Sequence, residues 1–399
     1  MSRDGAAASG SGTLAGATVL QAVPALRDDA IGRGALDLAL ALLRAGARAL
    51  VGGGGGPLVG ELQALGGEWI EFDFTAAAVR RRRNVEALRA LAAAERIDLV
   101  HAQGIEIARC AVMARHRGRP RLITSYVGAP PAPSWMAPPQ DAMARGDIVI
   151  APSQFAADLI AARHKIRREA VVAIHPGLDT DRFDPARVSL ERVQALRSAW
   201  RIGPRDRVIL APGRLVPAQG QLTLVDAARL LVNGGLREVV FVLAGDRTAD
   251  PDYTAAVDRR VVAQGLGPIF RRVAHCPDMP AAYAMADAVA APAEAPSIFS
   301  AVAAEAQAMA RAVIVSEIGA LPELVLAPPP GAPGPRTGWL VRPGDPDDLA
   351  HAIAGLLAAG AAARHEIEAE ARWWAETAFA KPQIIAATLA VYGELLAAG

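Results

Sequence analysis

The chain has 399 residues, 52% of them hydrophobic and 21% charged, which is apolar surface enough for more than one core and excludes wholesale disorder. A formal net charge of +1 shows no basic excess of the kind that nucleic-acid-binding domains carry, so no nucleic acid is expected as a partner. Cys110 and Cys276 lie too far apart in sequence for a metal knuckle, and the seven histidines include no HExxH pair, so no metal or other cofactor is expected and a reduced, cytoplasmic setting fits.

The opening "GAAASGSGTLAG" is small and polar, follows a poor positive lead-in, and predicts a loose tail over residues 1–16 rather than a signal peptide. No later segment reaches the ~18 consecutive apolar residues of a membrane span. From "TVLQAVP" onward, short β-branched runs alternate with alanine- and leucine-rich helical patterns, as parallel βαβ units do. The strands predicted in this part are "TVLQAVP", "RALVG", "WIEFDF", "DLVHA", "RLITSYV", "DIVIAPS" and "AVVAIHPG".

The run "VGGGGGP" misses the G-x-G-x-x-G spacing at Pro57 and reads as a flexible turn. In "VRRRRNVEAL", Arg80, Arg81, Arg82 and Arg83 open a helix, where positive charge opposes the dipole. That run reads either as a solvated charge patch or as a contact for something anionic, a membrane surface or a phosphate-bearing acceptor.

The apolar rhythm breaks near "GLDTDRFDPARVSL" and restarts after the helical connector "SLERVQALRSAWRI". The strands "RVILAPG", "EVVFVLAGD", "IFRRVAH", "DAVAAPA", "AVIVS" and "GWLVRPG" follow, with "LAPPPGAPGP" as a surface loop and helical material at the end. The expected architecture is α/β, two doubly wound Rossmann-like domains facing a central cleft. Ligands would bind beyond the carboxyl ends of the strands, where strand order reverses.

Two stretches carry chemistry. "APGRLVPAQGQ" runs from a strand through a glycine turn at Gly213 into a helix, where backbone N–H groups face a phosphate and Arg214 adds a charge-assisted contact; the other reading of Arg214 is a solvent-facing loop arginine. "SIFSAVAAEAQAMARAVIVS" is a loop, a helix and a buried strand, with Glu305 at the edge of the Val302, Ala306 and Met309 stripe. A carboxylate there needs a partner, either the ribose hydroxyls of a nucleotide or a nearby arginine. The helix amino end near Ser300 would also attract phosphate.

The motifs "GRLVPAQGQ", "VLAGD", "HCPDMPAAYAMADAVAAPA", "AEAQAMARAVIVSEIGALPELV" and "TGWLVRPGDPDDLAHAI", with "HPGLDTDRFDP" and "DIVIAPSQFAADLI" ahead of them, resemble the bacterial type of the retaining nucleotide-sugar glycosyltransferases of family 4, with the GT-B fold. The resemblance covers residues 17 to 395. It implies an acceptor-side domain over 17–178, a nucleotide-sugar-binding domain over 179–375 and a C-terminal helix over 376–399 crossing back to the first domain. It also implies transfer of a sugar from a nucleotide-diphospho-sugar to a glycan or lipid-linked acceptor, as in polysaccharide biosynthesis, in the cytoplasm or at the inner face of the membrane. Glu305 would hold the donor ribose, Arg214 the diphosphate, and the segment from Gly319 to Glu323 would lie against the nucleotide. Gly213, Gln219, Glu294, Ser297, Ile298, Phe299 and Ser300 complete the substrate-binding set, and Asp29, Ala30, His101 and Val127 fall on the acceptor side.

Four departures from the family pattern bear on activity. Ser297 stands where the family pairs a second glutamate with Glu305, and Glu294 is close by but out of register. Gln219 replaces the lysine expected five positions after Arg214. Asp29 and Ala30 replace glycines in the turn after the first strand, and Val127 stands where a histidine is expected. The alternative to an active enzyme is an inactive GT-B scaffold that binds a nucleotide, a glycan or a partner.

Overall fold

The computed structural model describes residues 14–74, 78–126, 140–274, 276–329 and 332–398 of the chain. Val127 and the first 13 residues of the expected tail lie outside the described residues. The chain divides into two units, one of Met1–Gly177 with Pro382–Gly399, the other of Leu178–Lys381. Among the described residues, no helix is long and apolar enough to cross a membrane.

Unit 1 is built on seven strands, β1 (Thr18–Ala25), β2 (Arg48–Gly54), β3 (Glu68–Glu71), β4 (Leu99–Gln103), β5 (Arg121–Ser125), β6 (Ile148–Ala151) and β7 (Val171–Ala173), in the order β3-β2-β1-β4-β5-β6-β7. Every pairing is parallel, with Leu20 opposite Leu50 on one side and Val100 on the other. The helices are α1 (Ala30–Arg44), α2 (Val59–Ala64), α3 (Ala78–Ala94), α4 (Ile105–Ala114) and α5 (Gln154–His164). Parallel strands covered on both faces need apolar side chains throughout, and the first six residues of β1 are buried without a break.

The glycine run does more than turn the chain. β2 continues through Gly54, and a Cβ on Gly53 would lie 2.2 Å from the Val23 carbonyl oxygen. The glycines let the ends of β1 and β2 approach closely, which corrects the reading of a flexible turn. The predicted strand "WIEFDF" is also shorter, ending at Glu71.

Unit 2 is built on β8 (Arg207–Pro212), β9 (Val239–Ala244), β10 (Phe270–Val273), β11 (Ala288–Ala291), β12 (Val313–Ser316) and β13 (Gly338–Val341), again parallel, in the order β10-β9-β8-β11-β12-β13. Its helices are α6 (Leu190–Ala199), α7 (Gln221–Asn233), α8 (Pro251–Ala263), α9 (Met279–Met285), α10 (Ala301–Ala308), α11 (Pro346–Ala358) and α12 (Ala361–Ala378). Alternation along β8 sorts Ile209 and Ala211 into a core with α7, α8 and α11, and Val208 and Leu210 into a second core with α9, α10 and α12. Where the chain enters and leaves this unit the two segments pair: the Leu178 N–H donates to the Phe379 carbonyl at 2.7 Å, and the Lys381 N–H to the Leu178 carbonyl at 3.1 Å.

The last helix, α13 (Lys381–Ala397), places Val391 and Tyr392 in the core of unit 1 beside Val19, Leu99 and Ile123. Its polar anchor is His101 of β4, which is 4% exposed. The Tyr392 hydroxyl meets His101 Nδ1 at 2.6 Å and the Ser125 hydroxyl meets Nε2 at 2.7 Å. Burial holds the imidazole neutral, with its pKa pushed down to about 4.

Because His101 binds a proton more readily unfolded than folded, stability should fall as pH drops from about 6.5 toward 4, by on the order of 3 kcal/mol from this group. The Tyr392→Phe variant should lose a further ~1 to 3 kcal/mol by orphaning a buried acceptor or donor. Urea unfolding of both proteins across that pH range measures both effects, and a flat pH profile would contradict the first.

Candidate functional site

In unit 2 the strand order reverses between β8 and β11, and the segments leaving those strands carry most of the residues singled out above. Gly213 follows β8 at φ +142°, and its N–H donates to the Ala244 carbonyl at 2.9 Å. A Cβ on Gly245 would lie 1.9 Å from the Gly213 carbonyl oxygen, so the turns after β8 and β9 touch through bare backbone. Arg214 comes next and is exposed. The Asp246 carboxyl lies below the usual carboxylate range mainly because the Thr248 side chain and N–H donate to it, with the Arg214 charge adding to the effect.

Gln219 closes a single tight turn, and Gly220 at φ +66° starts α7. A Cβ on Gly220 would lie 1.8 Å from the Pro292 carbonyl oxygen, which presses the segment after β11 against the amino end of α7. That segment brings in Glu294. Its N–H donates to the Ala218 carbonyl at 3.0 Å, and its carboxylate accepts from the Thr223 hydroxyl in the first turn of α7. Gly213, Gln219, Gly220 and Glu294 therefore form one cluster, with Gln219 Oε1 3.1 Å from where a Gly213 Cβ would stand.

Ser297 and Gly319 make a second cluster. A Cβ on Gly319, which sits at φ +62°, would lie 2.7 Å from both the N and the O of Ser297, and the Ala320 N–H donates to the Ser297 carbonyl at 2.9 Å. Ile298 and Phe299 are half-buried, and Phe299 packs against the second core. Ser300 precedes α10 without its side chain capping the helix, which leaves the first N–H groups of α10 to other acceptors. Glu323 is half-buried in the single turn Leu321–Leu324.

Glu305 lies in the middle of α10 and is half-buried. The hydroxyl of Tyr283, a residue of α9 with 0% exposure, donates to Glu305 Oε2 at 2.9 Å. Burial pushes the Glu305 carboxyl up, against the Tyr283 hydrogen bond and the charge of Arg182, which both lower it. Burial first, and the Glu305 charge second, push the Tyr283 phenol far above its ordinary range, so it stays a neutral donor. The partner of Glu305 within the fold is thus a phenol, with Arg182 acting through its field, rather than a paired arginine. Sequence reasoning missed both residues; the only pointer was that "AAYAMADAVAAPA" and "DTDRFDP" belong to the segments that carry the family resemblance.

The unit 1 residues sit differently. Asp29 is the N-cap of α1, accepting the Gly32 N–H at 2.9 Å, and Ala30 is the first helical residue. The acid therefore closes the helix end that a glycine turn would leave open to phosphate. His101, expected on the acceptor side, is a buried residue of β4 with both ring nitrogens engaged, by Ser125 and by Tyr392. Arg81 is committed to Glu106 of α4 at 2.9 Å, and Arg82 pairs with Glu86 at 3.3 Å, while Arg83 is exposed. The Arg80 side chain lies outside the described residues.

Two parallel, doubly wound units, the second with paired loop clusters at its strand-order reversal, define a GT-B protein. The family profile described as Glycosyltransferase Family 4 matches residues 31–182, and that described as Glycosyl transferases group 1 matches residues 206–359. The chain belongs to the family 4 glycosyltransferases with the GT-B fold. It is 32% identical over 234 residues to a D-inositol 3-phosphate glycosyltransferase of Mycobacterium sp. (strain KMS), a match that takes in 56% of this chain and 47% of the relative. It is 30% identical over 284 residues to D-inositol 3-phosphate glycosyltransferase 1 of Catenulispora acidiphila, covering 65% of this chain and 64% of that one. The chain thus spans less than half the length of the first of these relatives and under two thirds of the second. Among solved structures, a glycosyltransferase from Rickettsia africae superposes with a TM-score of 0.78 at 24% identity, over 96% of this chain and 99% of its own. Anabaena HepE, solved in complex with UDP, superposes with a TM-score of 0.73 at 20% identity, over 95% of this chain and 100% of its own.

Glu294 sets a like charge beside the α7 amino end, where a diphosphate would come. Replacing it in Glu294→Gln should tighten the binding of bare UDP roughly threefold at low salt, an effect that fades as salt rises. Calorimetry at two ionic strengths checks this, and an unchanged or weaker affinity would place the diphosphate elsewhere.

Proposed function

We propose that this chain is a retaining glycosyltransferase that takes a sugar from a nucleotide-diphospho-sugar held by unit 2 and passes it to a glycan or lipid-linked acceptor held by unit 1. The observation that carries the reading is the half-buried Glu305 carboxylate of α10, the helix that follows β11, with one oxygen committed to the Tyr283 phenol. A carboxylate oriented in this way accepts hydrogen bonds from a pair of neighbouring hydroxyls, as a ribose presents. The exposed Arg214 and the amino ends of α7 and α10 supply positive potential for the diphosphate.

In this reading the protein's chemistry is electrostatic. As the bond to the sugar breaks, negative charge grows on the leaving diphosphate, and Arg214 with the helix N–H groups stabilises it. The Gln219 amide contributes a dipole where a lysine would contribute a full charge, which slows the step without abolishing it. Glu294 is the acid available to meet sugar hydroxyls from the turn where Ser297 cannot. That the relatives are named for an inositol phosphate acceptor, and that HepE was solved with UDP, supports the sugar-transfer class and a uridine nucleotide as the first donor to try. The same reading places the chain in the cytoplasm, with the exposed Arg82 and Arg83 offering a contact for an anionic membrane face.

The test is a panel of UDP-, GDP- and ADP-sugars scored for transfer or hydrolysis, alongside calorimetry with the bare nucleotides. At least one nucleotide should bind, and Glu305→Ala should weaken it by about tenfold or more. Binding without turnover would assign the chain to the inactive scaffolds, and no binding at all would overturn the reading.

Protonation adds a further check. Glu305 must be ionised to accept from ribose, and its pKa is raised, so affinity should fall with decreasing pH above the usual carboxylate range. Tyr283→Phe removes a bond that favours the anion and should move that loss to higher pH. A pH profile that Tyr283→Phe leaves in place would separate Glu305 from nucleotide binding.

A further inference from the structure

Residues 80–121 hold eleven arginines against four carboxylates, in a chain whose formal net charge is +1. Three of those acids are taken up inside unit 1. Glu95 pairs with Arg48, the Asp98 carboxylate accepts from the Thr18 N–H, and Glu106 is shared by Arg81 and Arg109. Glu86, paired with Arg82, is the fourth and stands on the exposed side of α3. A positive excess is therefore left on the surface formed by α3, α4 and the turn that follows α4.

That surface is fixed from both ends. Arg81 of α3 reaches Glu106 of α4, and further along Arg89 Nη2 donates to the Met113 carbonyl at 2.9 Å, so the two helices lie side by side. Beyond α4, His116 and Arg119 exchange backbone hydrogen bonds of 3.0 Å and close a tight turn around Arg117. Arg117 stands at φ +49° and Arg96, just past α3, at φ +51°, left-handed backbone that strains an arginine more than a glycine. Arg83, Arg96 and Arg117 are exposed, and among the described residues none of their side chains makes a hydrogen bond or an ion pair. Between them lie the exposed alanines Ala87, Ala90, Ala93 and Ala94 and, on α4, Met113 with 55% of its surface open.

We infer that this face docks on an anionic lipid surface, with Arg83, Arg96 and Arg117 meeting headgroups and Met113 entering the boundary beneath them. The inference deepens the reading above, which offered Arg82 and Arg83 for such a contact, by extending the face along α3 to the turn after α4. Docking itself does not depend on sugar transfer. The span from Arg82 to Arg96 is about 20 Å of helix, too long for one small phosphate compound to cover. Met113 decides between large anions: a nucleic acid or another soluble polyanion would neutralise the guanidiniums and leave the thioether in water. A bilayer boundary offers phosphate and acyl chain together, and the alanines let α3 lie close to it.

The experiment is flotation of the full chain with vesicles of phosphatidylcholine alone and of phosphatidylcholine mixed with phosphatidylglycerol, at low and high salt. The chain should float with the mixed vesicles at low salt, release as salt rises, and ignore the neutral ones. The double variant Arg96→Gln with Arg117→Gln should bind more than tenfold more weakly, at about fivefold per arginine. Met113→Ser should weaken vesicle binding severalfold and leave the binding of heparin unchanged. Arg201→Gln with Arg259→Gln removes the same charge from exposed positions of unit 2 and should have little effect. Flotation with neutral vesicles, an equal loss in the two double variants, or indifference to Met113→Ser would overturn the assignment, the last in favour of a soluble polyanion. Calorimetry with UDP on the same samples is scored separately: its failure would remove the donor reading and leave the docking face standing, and failed flotation would do the reverse.

Discussion

The loops of unit 2 depend on backbone packing against backbone. Gly245 lies on the Gly213 carbonyl, Gly220 on the Pro292 carbonyl and Gly319 on the backbone N and O of Ser297, each at a distance that no Cβ could occupy. These contacts gather the segments after β8, β9, β11 and β12 at one end of the sheet. Without them, the amino end of α7, the Glu294 carboxylate and the start of α10 would stand apart. The placement of the side chains proposed for the site is thus set in good part by residues that have no side chain.

Glu305 is held by a second kind of constraint. A half-buried carboxylate is costly unless something donates to it, and Tyr283 does so from a fully buried position. Tyr283 is in turn packed edge-on against Phe183, 6.1 Å between ring centroids, and the Phe183 carbonyl accepts from Arg372 Nη1 at 2.6 Å. The same nitrogen donates to the Ala308 carbonyl at 2.7 Å, the last residue of α10. Entry segment, α9, α10 and α12 thus form one network around a single acid, so that the group proposed to bind ribose is also a structural junction.

Strands and helices were legible because buried parallel strands must be continuously apolar and short, and the runs in this chain are both. The close approaches were not. Spacing alone cannot show that a neighbouring carbonyl fills the volume of a missing Cβ, so "VGGGGGP" looked like a turn although its first half is strand. His101 sits in a run buried on both faces, where a histidine has no period to betray which partner it meets, and its partner Tyr392 is 291 positions away. Tyr283 is 22 positions from Glu305 and on a different helix. Asp29 is the opposite case: an aspartate just ahead of an apolar helical pattern is an N-cap signal present in the sequence, and weighing it only as a charge against phosphate overlooked it.

The route of the chain has a consequence for how the molecule is made. Unit 2 is one continuous stretch, Leu178–Lys381, whereas unit 1 needs the final helix, whose Tyr392 completes the hydrogen bonding of His101. During synthesis the later half can therefore finish its core first, while the earlier half waits with an apolar groove and a half-satisfied imidazole for α13, which follows unit 2 in the chain. A nascent chain stalled before residue 381 would present that groove to chaperones and proteases, which makes the first-translated unit the more vulnerable of the two.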